Sequence, residues 1–134
     1  MQTFAFPASA WVTLVALATY IWTVSKAGKA RITFGVEAPS MDGPTGFLSA
    51  QRVQANMLEQ MIVFLPALWL CACIWKDVYA AIPGAIWIIG RIVYALAYYK
   101  DPAKRGTGFM ISTLATIGLM LASAAGLGLN MVGK

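Results

Sequence analysis

Long apolar stretches separated by short polar ones dominate the chain, and four of them match the length of a membrane crossing. An α-helix spans about 30 Å of hydrocarbon in about 20 residues. Residues 6–24, 47–75, 79–98 and 107–132 each provide such a run. Helices are expected rather than a barrel, because lipid cannot satisfy exposed backbone groups and a barrel would show short alternating strands. The first run has no Lys or Arg before it and is too long for a signal-peptide core, so it reads as a retained span. The pattern predicts an all-α, integral membrane four-helix bundle, a single domain over residues 1–134.

The connections are unequal. Residues 26–46 are expected to form a long loop, because Gly28, Gly35, Pro39, Gly43 and Pro44 interrupt it. The second connection is only Lys76-Asp77-Val78, which makes the second and third spans a tight antiparallel hairpin. The third, residues 100–106, is short and basic, with Pro102 as a stop signal. Trp75, Tyr79, Tyr98 and Tyr99 fall at span ends, where interfacial aromatic anchors sit.

Composition sharpens this picture. The 134 residues are 60% hydrophobic and 11% charged, whereas soluble domains carry about a quarter charged residues. That excludes a water-soluble domain, a disordered chain and a disulfide scaffold. The charges are also lopsided, ten Lys and Arg against five Asp and Glu. Lys26, Lys29 and Arg31 lie in the first loop, and Lys100, Lys104 and Arg105 in the third, with only Lys76 and Lys134 on the other side. By the positive-inside rule, loops one and three are cytoplasmic and both termini lie opposite. No nucleic-acid partner is expected of such a chain.

Three ionisable side chains remain within spans: Arg52, Glu59 and Arg91. Each costs roughly 2.5–3.5 kcal/mol near a helix centre, so each needs compensation. Arg52, Asn56 and Glu59 stand at i, i+4 and i+7, on one face of span two; Arg91, Tyr94 and Tyr98 share one face of span three. Gln54 lies off the first stripe at similar depth. With about 1.5 Å of rise per residue, Arg52 lies about 8 Å and Glu59 about 18 Å from the cytoplasmic edge, and Arg91 about 10 Å. Both stripes occupy the same half of the bundle, with Lys104 and Arg105 over its mouth and Arg31 within reach. An internal Arg–Glu pair that merely joins helices is the plain alternative. Two arginines against one glutamate leave an excess of positive charge, which points instead to an anionic ligand with more carboxylates than amines. Arginines fork onto carboxylates, and Glu59 suits an ammonium or amide nitrogen.

Other chemistry is soon set aside. Without histidine there is no Ser-His triad, histidine proton relay or histidine metal site, and no metal is expected. Cys71 and Cys73 point to different faces and read as inert thiols. Gly118, Ala122 and Gly126 form a small-residue stripe on span four, which suits close helix packing within or between subunits.

Arg52-Val-Gln54-Ala-Asn56-Met-Leu-Glu59 resembles the second-helix signature of the membrane-associated proteins in eicosanoid and glutathione metabolism, the MAPEG family. Arg91-Ile-Val-Tyr94, followed by Tyr98 and Arg105, resembles its third-helix signature, and the likeness covers nearly the whole chain. The resemblance implies a homotrimer of four-helix subunits that binds glutathione as co-substrate at each subunit interface. It implies that Arg52, Asn56, Glu59, Tyr94 and Tyr98 hold glutathione, that Gln54 and Arg91 line the same pocket, and that Arg31 reaches a carboxylate from the neighbouring subunit. Arg105 matches the arginine that stabilises the thiolate. Ile32, Gly35 and Ser49 stand where some relatives carry further basic residues, so one contact is expected to differ. A non-enzymatic branch of the family lacks the arginine and glutamate that Arg52 and Glu59 represent here.

The expected activity is therefore that of a membrane-bound glutathione transferase, or glutathione-dependent peroxidase, acting on a lipophilic electrophile or lipid hydroperoxide drawn from membrane lipid. Two rivals stand beside it. One is a non-catalytic lipid- or glutathione-binding scaffold. The other is a small multidrug-type exporter, which favours cations and places its glutamate in the first span.

Overall fold

The computed structural model describes residues 3–133, so Lys134, counted above among the charges opposite the cytoplasm, lies outside the described residues. Helix α1 spans Pro7–Phe34, α2 Thr45–Ile74, α3 Asp77–Lys100 and α4 Gly106–Val132, with a short 3-10 turn over Pro102–Arg105. All four are long and apolar enough to cross a membrane, and no strand occurs among the described residues. The chain is an all-helical, multi-pass integral membrane protein.

Helix α1 corrects one expectation. The sequence pattern ends the first span at residue 24 and assigns 26–46 to a loop, yet the helix continues to Phe34 and the irregular segment is only residues 35–44. Lys26, Lys29 and Arg31 therefore ride on the last turns of α1. They are good helix formers, and cations are favoured at the negative end of the helix dipole. Gly28 has open space around its α-carbon and costs about 1 kcal/mol in a helix interior, too little to stop it. The stop is Gly35, left-handed at φ 64°. The Gly35 N–H donates to the Ile32 carbonyl at 3.3 Å and that of Val36 to the Arg31 carbonyl at 3.0 Å, a glycine C-cap.

The opposite end of α1 is tied to α3. Pro7 opens the helix, and the Asp77 carboxylate accepts the backbone N–H groups of Ala8 at 2.7 Å and Ser9 at 2.8 Å. An acid from the start of α3 thus satisfies two of the four orphan donors of α1. The tight hairpin between α2 and α3 consists of Trp75 and Lys76 alone.

The outside of the bundle is as apolar as its inside: Ile21, Ile62, Ile82 and Leu121 are exposed. Cohesion between helices in lipid comes from close packing and small residues. At the core Phe64 stacks on Trp87, with ring centres 3.8 Å apart. Helices α3 and α4 meet almost backbone to backbone: a Cβ on Gly90 would lie 2.8 Å from the Ser112 nitrogen, and one on Gly108 would collide with the backbone nitrogen of Tyr94. The expected stripe on α4 is divided. Gly126 packs on Ile74 and Trp75, and the Trp75 indole donates to the Ala122 carbonyl at 2.8 Å, whereas Gly118 faces open space. Several buried hydroxyls bond back to their own helix; Thr116 Oγ1 donates to the Ser112 carbonyl at 3.1 Å and Ser123 Oγ to that of Leu119 at 2.8 Å. This satisfies them where lipid offers no partner.

Candidate functional site

The two polar stripes meet. On α2, Arg52 Nη1 donates to Glu59 Oε1 at 3.1 Å, and Asn56 Nδ2 donates to Glu59 Oε2 at 3.1 Å. From α3, Arg91 Nη2 donates to Asn56 Oδ1 at 2.9 Å. The Arg91 guanidinium lies 4.3 Å from the Tyr94 ring centre, and Tyr94 packs edge-on against Tyr98 at 5.5 Å. Helical spacing sets this arrangement, since residues three, four and seven apart share a face.

Arg105 arrives from the connection between α3 and α4. Asp101 Oδ1 accepts the Ala103 N–H at 3.0 Å and sets the 3-10 turn. Arg105 Nη1 then donates to the Pro102 carbonyl at 2.8 Å, which holds the guanidinium 5.5 Å from the Tyr98 ring centre. The backbone contact at Gly108 fixes the first turn of α4 directly beneath.

Arg52, Asn56, Tyr94, Tyr98, Arg105 and Phe109 line a cleft of about 350 Å³. The Glu59 carboxylate is bonded to two of those residues. The cleft is lined by two cations, Arg52 and Arg105, and the one carboxylate bonded to its lining is Glu59. Arg52 and Glu59 each keep 53% of their side chain exposed. An ion pair left this open in the single chain is accessible to the charged groups of a ligand.

Three expected residues lie elsewhere in the single chain. Arg91 is 1% exposed and stands behind the cleft wall. Gln54 turns to α1, where its Nε2 donates to the Tyr20 hydroxyl at 3.1 Å. Arg31 folds onto the segment after α1, donating to the Ser40 carbonyl at 2.8 Å, and borders a separate hollow with Val36 and Glu37. Phe109 and Tyr20 were not singled out from sequence; both are aromatic rings in apolar runs, indistinguishable there from lipid-facing ones. A larger apolar hollow of about 500 Å³, lined by Met41, Leu48, Ala55 and Pro102, adjoins the cleft and shares Arg52 and Tyr98 with it. Cys71 is buried and Cys73 exposed, consistent with different faces.

Comparison with known proteins adds an independent line. Residues 9–125 match the model of the MAPEG family. The chain is 41% identical to an uncharacterised protein from Synechocystis sp., over 84% of this chain and 82% of that one. It is 34% identical to Microsomal glutathione S-transferase 2 from Homo sapiens over 63% of this chain, an alignment that spans only 58% of the human protein. To Leukotriene C4 synthase from Mus musculus it is 30% identical, over 88% of this chain and 79% of the mouse protein.

Proposed function

Because the chain belongs to the MAPEG family, we propose that it is a membrane-bound glutathione transferase that presents the glutathione thiolate to lipophilic electrophiles dissolved in the bilayer. The observation that carries this reading is the cleft, in which an exposed Arg52–Glu59 pair, Asn56, Tyr94, Tyr98 and Arg105 converge on a surface otherwise made of hydrocarbon. Glutathione has two carboxylates and one ammonium. In this reading Arg52 takes a carboxylate, Glu59 the ammonium, and Asn56, Tyr94 and Tyr98 the polar atoms between them.

Arg105 acts on sulfur. A free thiol with a pKa near 8.5 is mostly protonated at neutral pH, and the thiolate is the nucleophile. A guanidinium at hydrogen-bond range favours the anion and lowers that pKa. Arg105 spends one donor on the Pro102 carbonyl and keeps the others for the sulfur. The thiolate then attacks an electrophilic carbon; the carbon–sulfur bond forms as the leaving group departs or a strained ring opens. Reduction of a lipid hydroperoxide by two glutathiones, giving alcohol, water and glutathione disulfide, is the related peroxidase activity.

The working unit in this proposal is a homotrimer of single-domain chains, with loops one and three on the cytoplasmic side where glutathione is dissolved. Two features support more than one copy at the site. Arg52 and Glu59 are half exposed on a membrane-spanning helix, where uncovered charge is costly. Arg31 and Gln54 lie outside the cleft of their own chain, and in this reading they serve the cleft of a partner subunit.

Purified protein in detergent should conjugate glutathione to a generic aryl halide and show a glutathione-dependent rise in thermal stability, as a ligand of the folded state must cause. A stability rise without conjugation would instead favour a binding scaffold. Absence of both overturns the proposal.

A further inference from the structure

Arg91 is a cation sealed inside the bundle, and it makes one hydrogen bond. Its Nη2 donates to Asn56 Oδ1 at 2.9 Å, while Nε and Nη1 have no partner. A buried charge held by one hydrogen bond and the Tyr94 ring 4.3 Å away is still expensive, and at 1% exposure it is out of reach of anything in the cleft. The bond it does make has a directional consequence. A guanidinium only donates, so it can be met only by the Asn56 oxygen, and the Asn56 amide is thereby turned with Nδ2 outward. Nδ2 is the group that donates to Glu59 Oε2 at 3.1 Å, while Arg52 holds Oε1 at 3.1 Å. The carboxylate is pinned at both oxygens, and Arg91 braces one pin from behind by locking the Asn56 amide.

We infer that Arg91 is a positioning residue: without touching the ligand, it fixes the Asn56 amide and through it the Glu59 carboxylate that selects an amine-bearing ligand. This assigns Arg91 a place behind the pocket, not in its lining, and it rests on the reading of the cleft as a glutathione site. Without Arg91 the Asn56 amide turns either face to Glu59. The face presenting Oδ1 repels the carboxylate, which is then held by Arg52 alone and loses its fixed aim at the ammonium.

The test is a ratio. Binding of glutathione, and of an analogue lacking only the α-amino group, is measured on the purified full-length protein in detergent. Wild type should prefer glutathione by about tenfold or more, the worth of one charged hydrogen bond. Arg91→Met should reduce that preference to the level of Glu59→Gln, while the affinity for the analogue changes by less than about threefold, since removing an underpaired buried charge need not harm folding. Arg91→Gln, neutral and able to present either end of its amide, should behave alike and serves if the methionine variant does not accumulate. Arg91→Lys keeps a cation that only donates and should retain most of the preference. The Arg91→Met, Glu59→Gln double variant should show no further loss of preference. If Arg91→Met or Arg91→Gln weakens both ligands equally and leaves the ratio at its wild-type value, Arg91 is merely structural and the inference fails alone. Wild type that binds neither ligand overturns the glutathione reading, and this inference falls with it.

Discussion

Arg105 sits where a flexible arginine is made stiff. The Pro102 carbonyl takes one of its donors and the Tyr98 ring lies beneath it, so the guanidinium is oriented before any ligand arrives, and preorganised donors are the ones that stabilise developing charge. Arg105→Ala should keep glutathione binding within about threefold, because the carboxylate and ammonium contacts are elsewhere, and lower kcat by about 100-fold or more. The near-ultraviolet absorbance of bound thiolate should vanish. The pH profile supplies the sign: a cation beside sulfur lowers the thiol pKa, so wild-type activity levels off below the free-thiol value near 8.5, and the variant still climbs through it. Unchanged thiolate absorbance in Arg105→Ala would remove the residue from the chemistry. At this scale the sequence is informative where polarity is out of place. Arg52, Asn56 and Glu59 in an apolar span have few bland explanations, and helical spacing puts them on one side. It is silent on depth behind a face: Arg91 shares a stripe with Tyr94 and Tyr98, yet the guanidinium folds inward onto Asn56, which depends on how α2 and α3 pack.

The helices owe their mutual placement to contacts that apolar periodicity does not reveal. The crossing of α3 and α4 at Gly90 and Gly108 leaves no room for a methyl group, since one on Gly108 would meet the Tyr94 backbone. Gly108→Ala should destabilise the bundle by about 1–3 kcal/mol, the ordinary cost of overpacking. It should also reduce activity further than glutathione binding, because it displaces the turn that carries Arg105. Gly118→Ala, on the same helix but facing open space, should raise stability by up to about 1 kcal/mol and leave activity unaltered; thermal unfolding in detergent and the conjugation rate measure the pair. Equal effects of the two substitutions would dismiss the crossing as a structural determinant. Asp77→Ala, which strips two backbone donors at the start of α1 of their partner, should cost about 1–2 kcal/mol as other lost helix caps do. These elements differ in how far they are legible. Four spans and the tight α2–α3 connection follow from apolar length alone. The extension of α1 to Phe34 does not, because Gly28 and three cations look like loop until the left-handed Gly35 is seen to be the true end. The Gly90–Gly108 contact joins two helices, and no local spacing announces it.

At the scale of the whole molecule, the decisive question is whether one chain suffices to make a site. Arg31 faces Ser40 and a hollow apart from the cleft, and Glu59 projects from α2 with half its side chain uncovered. If Arg31 completes the cleft of a partner subunit in a closed ring, each site draws Arg31 from one chain and Glu59 from the next. Arg31→Ala and Glu59→Gln should then each lose most glutathione binding alone. Co-expressed in equal amounts, they should recover some. A site is intact only where an interface joins Arg31 from a Glu59→Gln chain to Glu59 from an Arg31→Ala chain. Random mixing in a ring of heterologous contacts makes that about one site in four. Titration of glutathione into the co-purified mixture should give about a quarter of the wild-type stoichiometry at near wild-type affinity. Mixing the two proteins after separate purification, without subunit exchange, should give none. A co-expressed mixture that binds no better than its parents would mean that each cleft is built from a single chain. Arg31 would then be left with its observed task of bracing the segment after α1.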